Sequence, residues 1–400
     1  MNRPTNPQSN PQFATVQSVF ESVVGPITPA AQLAIRWHGR GVFARAYGWL
    51  DPETRQRPTQ LDTLFDIASV TKLFAVSAFM TLVEAGAVAL DQPVCTVLPE
   101  FGGVRPIQPY EDPLSPGSMV AVADAGGSVD AGAVTFRHLL THTSGLPAWR
   151  PLYRQPDAGA ARQTALNTFF SYLPGTRVVY SDIGLILLGI AIKRLAGRSL
   201  DTVIRQHVAE PLNLSHTHYL PLPSPDPLPD HVAPTEFCKW RGRRVVGQVH
   251  DENAYQLGGV SAHAGLFSTA SDIAAFGQTF LDRSDAPRGT PLLRPATVDE
   301  MTRWQTQGLG TRRGLGFALW LPDPEVSGNP FSQGAFGHTG FTGTSLWIDP
   351  ARNLVVALLT NEVYNGRESR EILKLRVDVH QAIVAAVDGA CVPNAQRNLR

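Results

Sequence analysis

The stretch Asp66-Ile-Ala-Ser69-Val-Thr-Lys72-Leu-Phe-Ala-Val76 constrains this chain more than any other. Ser69 and Lys72 stand three apart where a helical pattern begins, so their side chains share one face, a turn apart. From Leu73 to Leu90 the residues are almost all apolar and Glu84 is the single charge, so this helix is expected to be buried. A charge there is costly unless it is paired. A serine hydroxyl is a weak nucleophile unless a base lies within hydrogen-bonding reach, and a desolvated lysine can be that base. The alternative is structural: Ser69 caps the helix and Lys72 reaches out to solvent. Composition bears on the choice, because only four of the 34 Lys and Arg residues are lysines. Lys72 alone among them has a serine three positions earlier.

A chain of 400 residues with 43% hydrophobic composition can bury a large core. The formal net charge is +0, which supplies no field to draw in nucleic acid or an anionic membrane, so neither partner is expected. Three scattered cysteines (Cys95, Cys238, Cys391), with no Cys-x-x-Cys, argue against a disulfide framework or a cysteine metal site. The polar, proline-rich start has no apolar stretch of the secretory kind, and the longest apolar run, Ile183–Ile192, is too short to span a bilayer. A cytoplasmic protein without a membrane segment is expected.

Residues 1–12 read as a disordered tail, and 13–395 as one domain. A helix is predicted near Thr15–Val24, then two strands, Gln32–Trp37 and Gly41–Tyr47, joined at His38-Gly-Arg-Gly41. Residues 99–133, rich in Gly, Pro, Ser and Asp, read as a long surface loop. Thr135 is a plausible cap for a short helix that Gly145 ends. Further helices are predicted at Asp182–Leu195, Leu200–Glu210 and Asp272–Leu281, with an extended connection at Pro221–Pro234. Gly337–Trp347 and Leu354–Leu359 read as a strand pair, and Glu371–Val387 as a closing amphipathic helix. Strands at both ends with helices between them predict an α+β fold. In it, one antiparallel sheet is made by 13–65 and 265–395, and a mainly helical part, 66–264, is inserted.

Two later segments add polar residues suited to acyl transfer. Tyr180-Ser-Asp182 precedes a helix; structurally, Asp182 would be an N-cap and Tyr180 a half-buried aromatic. Phe336-Gly-His338-Thr339-Gly340-Phe341 lies on a glycine-rich strand that could approach a ligand closely or form a bulged edge. In order, these three segments resemble the serine β-lactamase and penicillin-binding-protein superfamily, nearest its class C branch with DD-peptidase relatives and esterases. That family carries Ser-x-x-Lys, Tyr-x-Asn and Lys-Thr-Gly. Leu139–Leu146 and Gly258–Thr269 also look family-like.

The resemblance implies Ser69 as the acylated nucleophile, Lys72 as its hydrogen-bonding partner and Tyr180 as proton shuttle. The Ser69 and Phe341 N–H groups would form the oxyanion hole, with Asp182, His338, Thr339 and Gly340 in supporting and substrate-binding roles. No metal or cofactor is implied. Two positions depart from the pattern: His338 stands for Lys and Asp182 for Asn. A neutral His338 would lose grip on a substrate carboxylate, favouring esters or amides without one, while Asp182 should favour the Lys72 ammonium. The expected activity is metal-independent hydrolysis of a small ester or amide through a Ser69 acyl-enzyme. The alternatives are a D-alanyl-D-alanine carboxypeptidase or β-lactamase, and a non-catalytic binding or assembly module. The cluster His216, His218, His231, His250 and Asp251 is a weaker metal candidate, lacking His-Glu-x-x-His.

Overall fold

The computed structural model describes residues 11–115, 117–223, 230–282, 292–322, 330–368 and 371–391. Both ends of the chain build a six-stranded antiparallel sheet. Its strands are β1 (Ala30–Trp37), β2 (Arg40–Gly48), β3 (Ala318–Leu319), β4 (Phe336–Thr339), β5 (Ser345–Asp349) and β6 (Leu354–Thr360). In space they run β3-β4-β5-β6-β1-β2. The β1–β6 ladder, from Ala31 opposite Thr360 to Trp37 opposite Leu354, closes the two ends together. The β1–β2 turn has positive φ at His38 and Gly39, which suits the twist of a tight hairpin.

These strands are apolar without alternation because both faces are covered. Along β6, Leu354, Val356 and Leu358 face α1 (Ala14–Val23) and α6 (Glu371–Cys391), packing with Phe13, Phe20, Leu375 and Ile383. Val355, Ala357 and Leu359 face the other way, into a core shared with α2 (Thr71–Glu84), α3 (Asp182–Ala196) and α5 (Ala270–Gln278). There Phe74 stacks on Phe276 with ring centroids 4.0 Å apart. Gly277 lets α5 lie against the sheet: a Cβ would come within 2.7 Å of Val355. Among the described residues, no helix is long and apolar enough to cross a membrane.

Three local expectations need correction. Residues 99–133 are not a structureless surface loop. Val104–Pro106 pairs with Ser128–Asp130, and Tyr110–Glu111 with Met119–Val120. Phe101, Ile107, Tyr110, Val122 and Val129 join the main core, and buried Arg105 donates to the carbonyls of Phe101, Leu166 and Thr168. Strands of two or three residues are too short to show a period, which hid them in the sequence. Second, Gly337–Trp347 is two strands, β4 and β5, folded about Gly340–Thr344, with Gly343 at φ +102°. Third, the helix capped by Thr135 ends at Leu140, short of Gly145, with His142 already at positive φ. Pro11–Phe13 form a 3₁₀ turn where the tail was expected; residues 1–10, 224–229 and 392–395 lie outside the described residues.

Trp347 is fully buried between β5 and α6 and packs on Phe331. Trp347→Ala is expected to lower unfolding free energy by about 3–5 kcal/mol, read as a fall in the urea midpoint with little change in slope.

Candidate active site

Ser69 sits in a single 3₁₀ turn, Ala68–Val70, that runs directly into α2. The turn is held in an unusual shape, since Ala68 has φ +46°. Asp66 maintains it: one carboxylate oxygen accepts from Ala68 N–H at 2.8 Å and the other from His250 N–H at 2.6 Å. Burial outweighs these donors and pushes the Asp66 carboxyl up to about 6.

One turn on, Lys72 is completely buried. Its Nζ donates to Ser69 Oγ at 2.8 Å and to the carbonyl of His263 at 2.9 Å, and lies 2.8 Å from Asp182 Oδ1. Burial disfavours the ammonium, but the Asp182 charge, with Tyr180, more than offsets it, so Lys72 is held above the ordinary lysine value. Asp182 is the first residue of α3 and pairs with Lys72; Ser181 is the cap, its Oγ accepting from Gly184 N–H.

Tyr180 stands over this pair, with the Lys72 ammonium 4.8 Å from its ring centre. Its hydroxyl is buried outside hydrogen-bond geometry, with Lys72 and Ser69 as polar neighbours. Burial raises the phenol above its usual range, and Lys72 pulls the other way without cancelling the rise. The segment after Leu139 fixes this tyrosine. His142 O accepts from Val179 N–H at 2.8 Å, and His142 Nδ1 accepts from Ser181 N–H at 3.0 Å. Both neighbours of Tyr180 therefore hang on one residue, whose ring also lies 4.7 Å from the phenol ring.

The Gly340–Thr344 turn closes the site from the sheet side. Thr342 Oγ1 donates to Asp66 O at 2.7 Å and Thr344 Oγ1 to Ile67 O at 3.0 Å, which clamps this turn onto the one holding Ser69. From α6, buried Arg376 donates to the carbonyls of Gly340 and Thr344. Only glycine fits at 340, where a Cβ would lie 2.1 Å from Thr344 Oγ1 and 2.6 Å from Ile67 O. Among the described turns, neither the Ser69 nor the Phe341 N–H donates to another backbone group. His338 Nδ1 lies 2.7 Å from the carbonyl of Thr339, which makes Nδ1 the protonated nitrogen and leaves buried Nε2 as a bare acceptor. Burial, then Lys72 and Arg313, hold His338 well below the ordinary histidine value, so it is neutral.

A cleft of about 400 Å³ opens over Ser69, with Tyr180, His338, Thr339, Phe341, Arg313 and Leu114 among its walls. Ser69, Lys72, Tyr180, Asp182, His338, Thr339, Gly340 and Phe341 all lie at or directly beneath it. Sequence reasoning gave no role to Asp66, His142, His263 or Arg313, and weighed Asp251 only as a metal candidate. His142 and His263 stood inside family-like segments, but nothing local separated Arg313 from the other arginines. The metal candidate does not assemble: His250 stacks on Phe341, the His216 amide donates to Asp272, and Asp251 bonds His263. Among the described residues one other group, Glu236, Cys238 and Glu252, has metal-like spacing, and the Arg367 guanidinium already bonds both its carboxylates.

The Beta-lactamase family pattern matches residues 18–381. This chain belongs to the β-lactamase family. It is 33% identical to an N-acetylmuramyl-L-alanine amidase of Bacillus subtilis, over 90% of this chain and 83% of that protein. It is 32% identical to a putative D-alanyl-D-alanine carboxypeptidase of Escherichia coli, over 76% and 70% of the two chains. Two solved structures share the fold, each with TM-score 0.67. One is EstCE1, a hydrolase with promiscuous acyltransferase activity, at 23% identity over 92% and 98% of the chains. The other is a penicillin-binding protein homologue from Caulobacter crescentus, at 22% identity over 93% and 97%. As a β-lactamase-family member the chain is a serine hydrolase, and its fold is the mixed helix and antiparallel-sheet architecture expected. The scaffold alternative, a module without catalysis, is set aside.

Because the chain has only four lysines, ¹³C-lysine labelling can resolve Lys72 by NMR. Asp182→Asn is expected to move the Lys72 titration to lower pH, since it removes the charge that sustains the ammonium. A titration equal to the parent's would contradict this account of the pair.

Proposed function

We propose that this enzyme cleaves an amide or ester through an acyl-enzyme on Ser69, and that its substrate carries an anionic group received by Arg313. The observation that carries the first part is the 2.8 Å hydrogen bond from a buried, ion-paired Lys72 to Ser69 Oγ. Lys72 is an ammonium in this setting, so it serves as a positive charge beside the proton acceptor. Tyr180 relays the proton: as Oγ attacks the substrate carbonyl, the phenol oxygen takes the Ser69 proton and gives up its own to the leaving amine or alcohol. The amides of Ser69 and Phe341 hold the oxyanion; such a donor is typically worth ~10²–10³ in rate. Water then attacks the acyl group, passing its proton to the same phenol oxygen while the phenol returns one to Ser69 Oγ.

Arg313 supports the second part. Its guanidinium lies 5.2 Å from the Tyr180 ring centre, its Nε is buried without a hydrogen bond, and among the described residues no carboxylate pairs with it. Burial lowers it from the ordinary arginine value, yet it stays cationic at neutral pH. A neutral His338 therefore does not leave the cleft without a carboxylate receptor, and the preference for uncharged esters loses its basis. Peptides ending in a free carboxylate, as the carboxypeptidase relative's name implies, suit a cleft that presents Arg313. A small-molecule ester is the second reading, favoured by the apolar walls at Leu114 and Phe341.

A fluorophosphonate is expected to label the parent at Ser69, mapped by mass spectrometry, and to leave Ser69→Ala unlabelled. Arg313→Gln is expected to raise KM for a D-alanyl-D-alanine peptide by roughly 10–100-fold, the loss of one charge-assisted contact, and to leave p-nitrophenyl acetate within about twofold. Equal effects on both substrates would refute the anion site. Asp182→Asn is also expected to shift the pH–rate profile of acylation to lower pH, because Asp182 raises both Tyr180 and Lys72.

A further inference from the structure

Buried His263 and half-buried Asp251 form a pair that the acyl-transfer scheme does not use. His263 Nε2 lies 2.9 Å from Asp251 Oδ1, and its Nδ1 lies 2.7 Å from Ser261 Oγ. Its side chain is 1% exposed. Asp251 Oδ1 also accepts from Ala254 N–H at 2.7 Å and so caps α4 (Glu252–Gln256). One carboxylate oxygen thus joins a helix start to an imidazole. Carboxylates at such a site ordinarily need only the helix, so the histidine calls for its own explanation.

The explanation lies in the backbone of the same residue. His263 O is one of three acceptors within 2.9 Å of Lys72 Nζ, with Ser69 Oγ and Asp182 Oδ1. Between α4 and the strand Leu266–Ser268 the chain has no ladder to fix a carbonyl's direction. Gly258, Gly259 and Gly265 there all take positive φ. A peptide in such a segment can swing unless a side chain anchors it. His263 is anchored at both ring nitrogens, and the neighbouring Ser261 carbonyl accepts from Tyr219 Oη at 2.8 Å. The anchored peptide aims its carbonyl at Nζ, adding a neutral dipole beside the Ser69 hydroxyl and the Asp182 carboxylate.

We propose that Asp251 and His263 are positioning residues for acyl transfer, acting through the His263 carbonyl to aim the Lys72 ammonium at Ser69. The proposal rests on the reading of Ser69 as nucleophile. Without the pair, Lys72 keeps its salt bridge to Asp182 but loses the acceptor that holds Nζ over Oγ. Ser69 is then left in a poorer attack geometry, and a misplacement of about 1 Å can cost on the order of a hundredfold in rate. Substrate binding, which involves the cleft walls and Arg313, does not pass through this loop.

The test is the acylation rate per titratable Ser69, measured by stopped-flow with a chromogenic ester after counting sites with fluorophosphonate. His263→Ala and Asp251→Ala are expected to fall by tenfold to a hundredfold per site, with KM within about twofold of the parent. Asp251→Asn keeps an Oδ1 acceptor for both donors and is expected to recover most of that loss. A merely structural role would reduce the number of titratable sites and the melting temperature but leave the rate per site unchanged, and that result would overturn the proposal. If the alanine variants do not accumulate folded, Ser261→Ala, which frees only Nδ1, is expected to slow each site at least threefold; a parental rate there would overturn it equally. A parent that takes no label at Ser69 would overturn the acyl-enzyme reading and this one with it. A labelled parent with unmoved variants overturns this one alone.

Discussion

A lysine ammonium with no exposed surface is the constraint around which this structure is arranged. Taking such a charge out of water is costly, and its attraction to a single carboxylate does not assure a net gain. The fold meets that cost with an ion pair to Asp182 and hydrogen bonds to Ser69 and the His263 carbonyl. Those partners come from three separate parts of the chain: the turn into α2, the start of α3 and the glycine-rich segment before α5. Wrongly placing any of them leaves a buried cation without compensation, so the site's geometry and the packing of the helical region on the sheet are specified together.

Around the cation, the neighbouring groups are kept from competing for its role. His142 and His338 are held well below the ordinary histidine value, each by burial first and by nearby cations next, and each has one ring nitrogen committed to the backbone. They are neutral, with fixed tautomers, on either side of Tyr180. The phenol is thus the remaining group beside Ser69 whose proton can move in answer to the lysine's charge. Arg313, one of several cations lining the cleft, stands across the tyrosine ring, where the departure from the family's lysine at 338 had suggested an uncharged wall.

Much of this was legible in advance. Ser69 and Lys72 could be picked out because a hydroxyl stands three residues before a rare lysine, and Tyr180 because the three segments in order resemble a known family. The sheet ends showed because β1 and β6 are long apolar runs. What stayed hidden was of two kinds. The strands of 99–133 are shorter than any period. The supporting residues act through backbone atoms: Asp66 through two amides, His142 through a carbonyl and a ring nitrogen, and His263 through its own carbonyl. A residue that works through main-chain groups has no sequence spacing to betray it.

By itself, the sequence determined the fold class, because local periodicity is written residue by residue, and its ordered motifs resembled a known family, which pointed to the eight residues now found around one cleft. It also determined that Asp182 would keep Lys72 charged, since a carboxylate near an amine acts the same way wherever the contact forms. Only the tertiary structure decided where the anion-receiving cation sits, which histidines are neutral, and what aims the lysine. Those properties depend on burial and on distances between segments far apart in the chain. Arg313 differs from the chain's other arginines not in type but in having been folded against Tyr180 at the cleft, where among the described residues no carboxylate pairs with it.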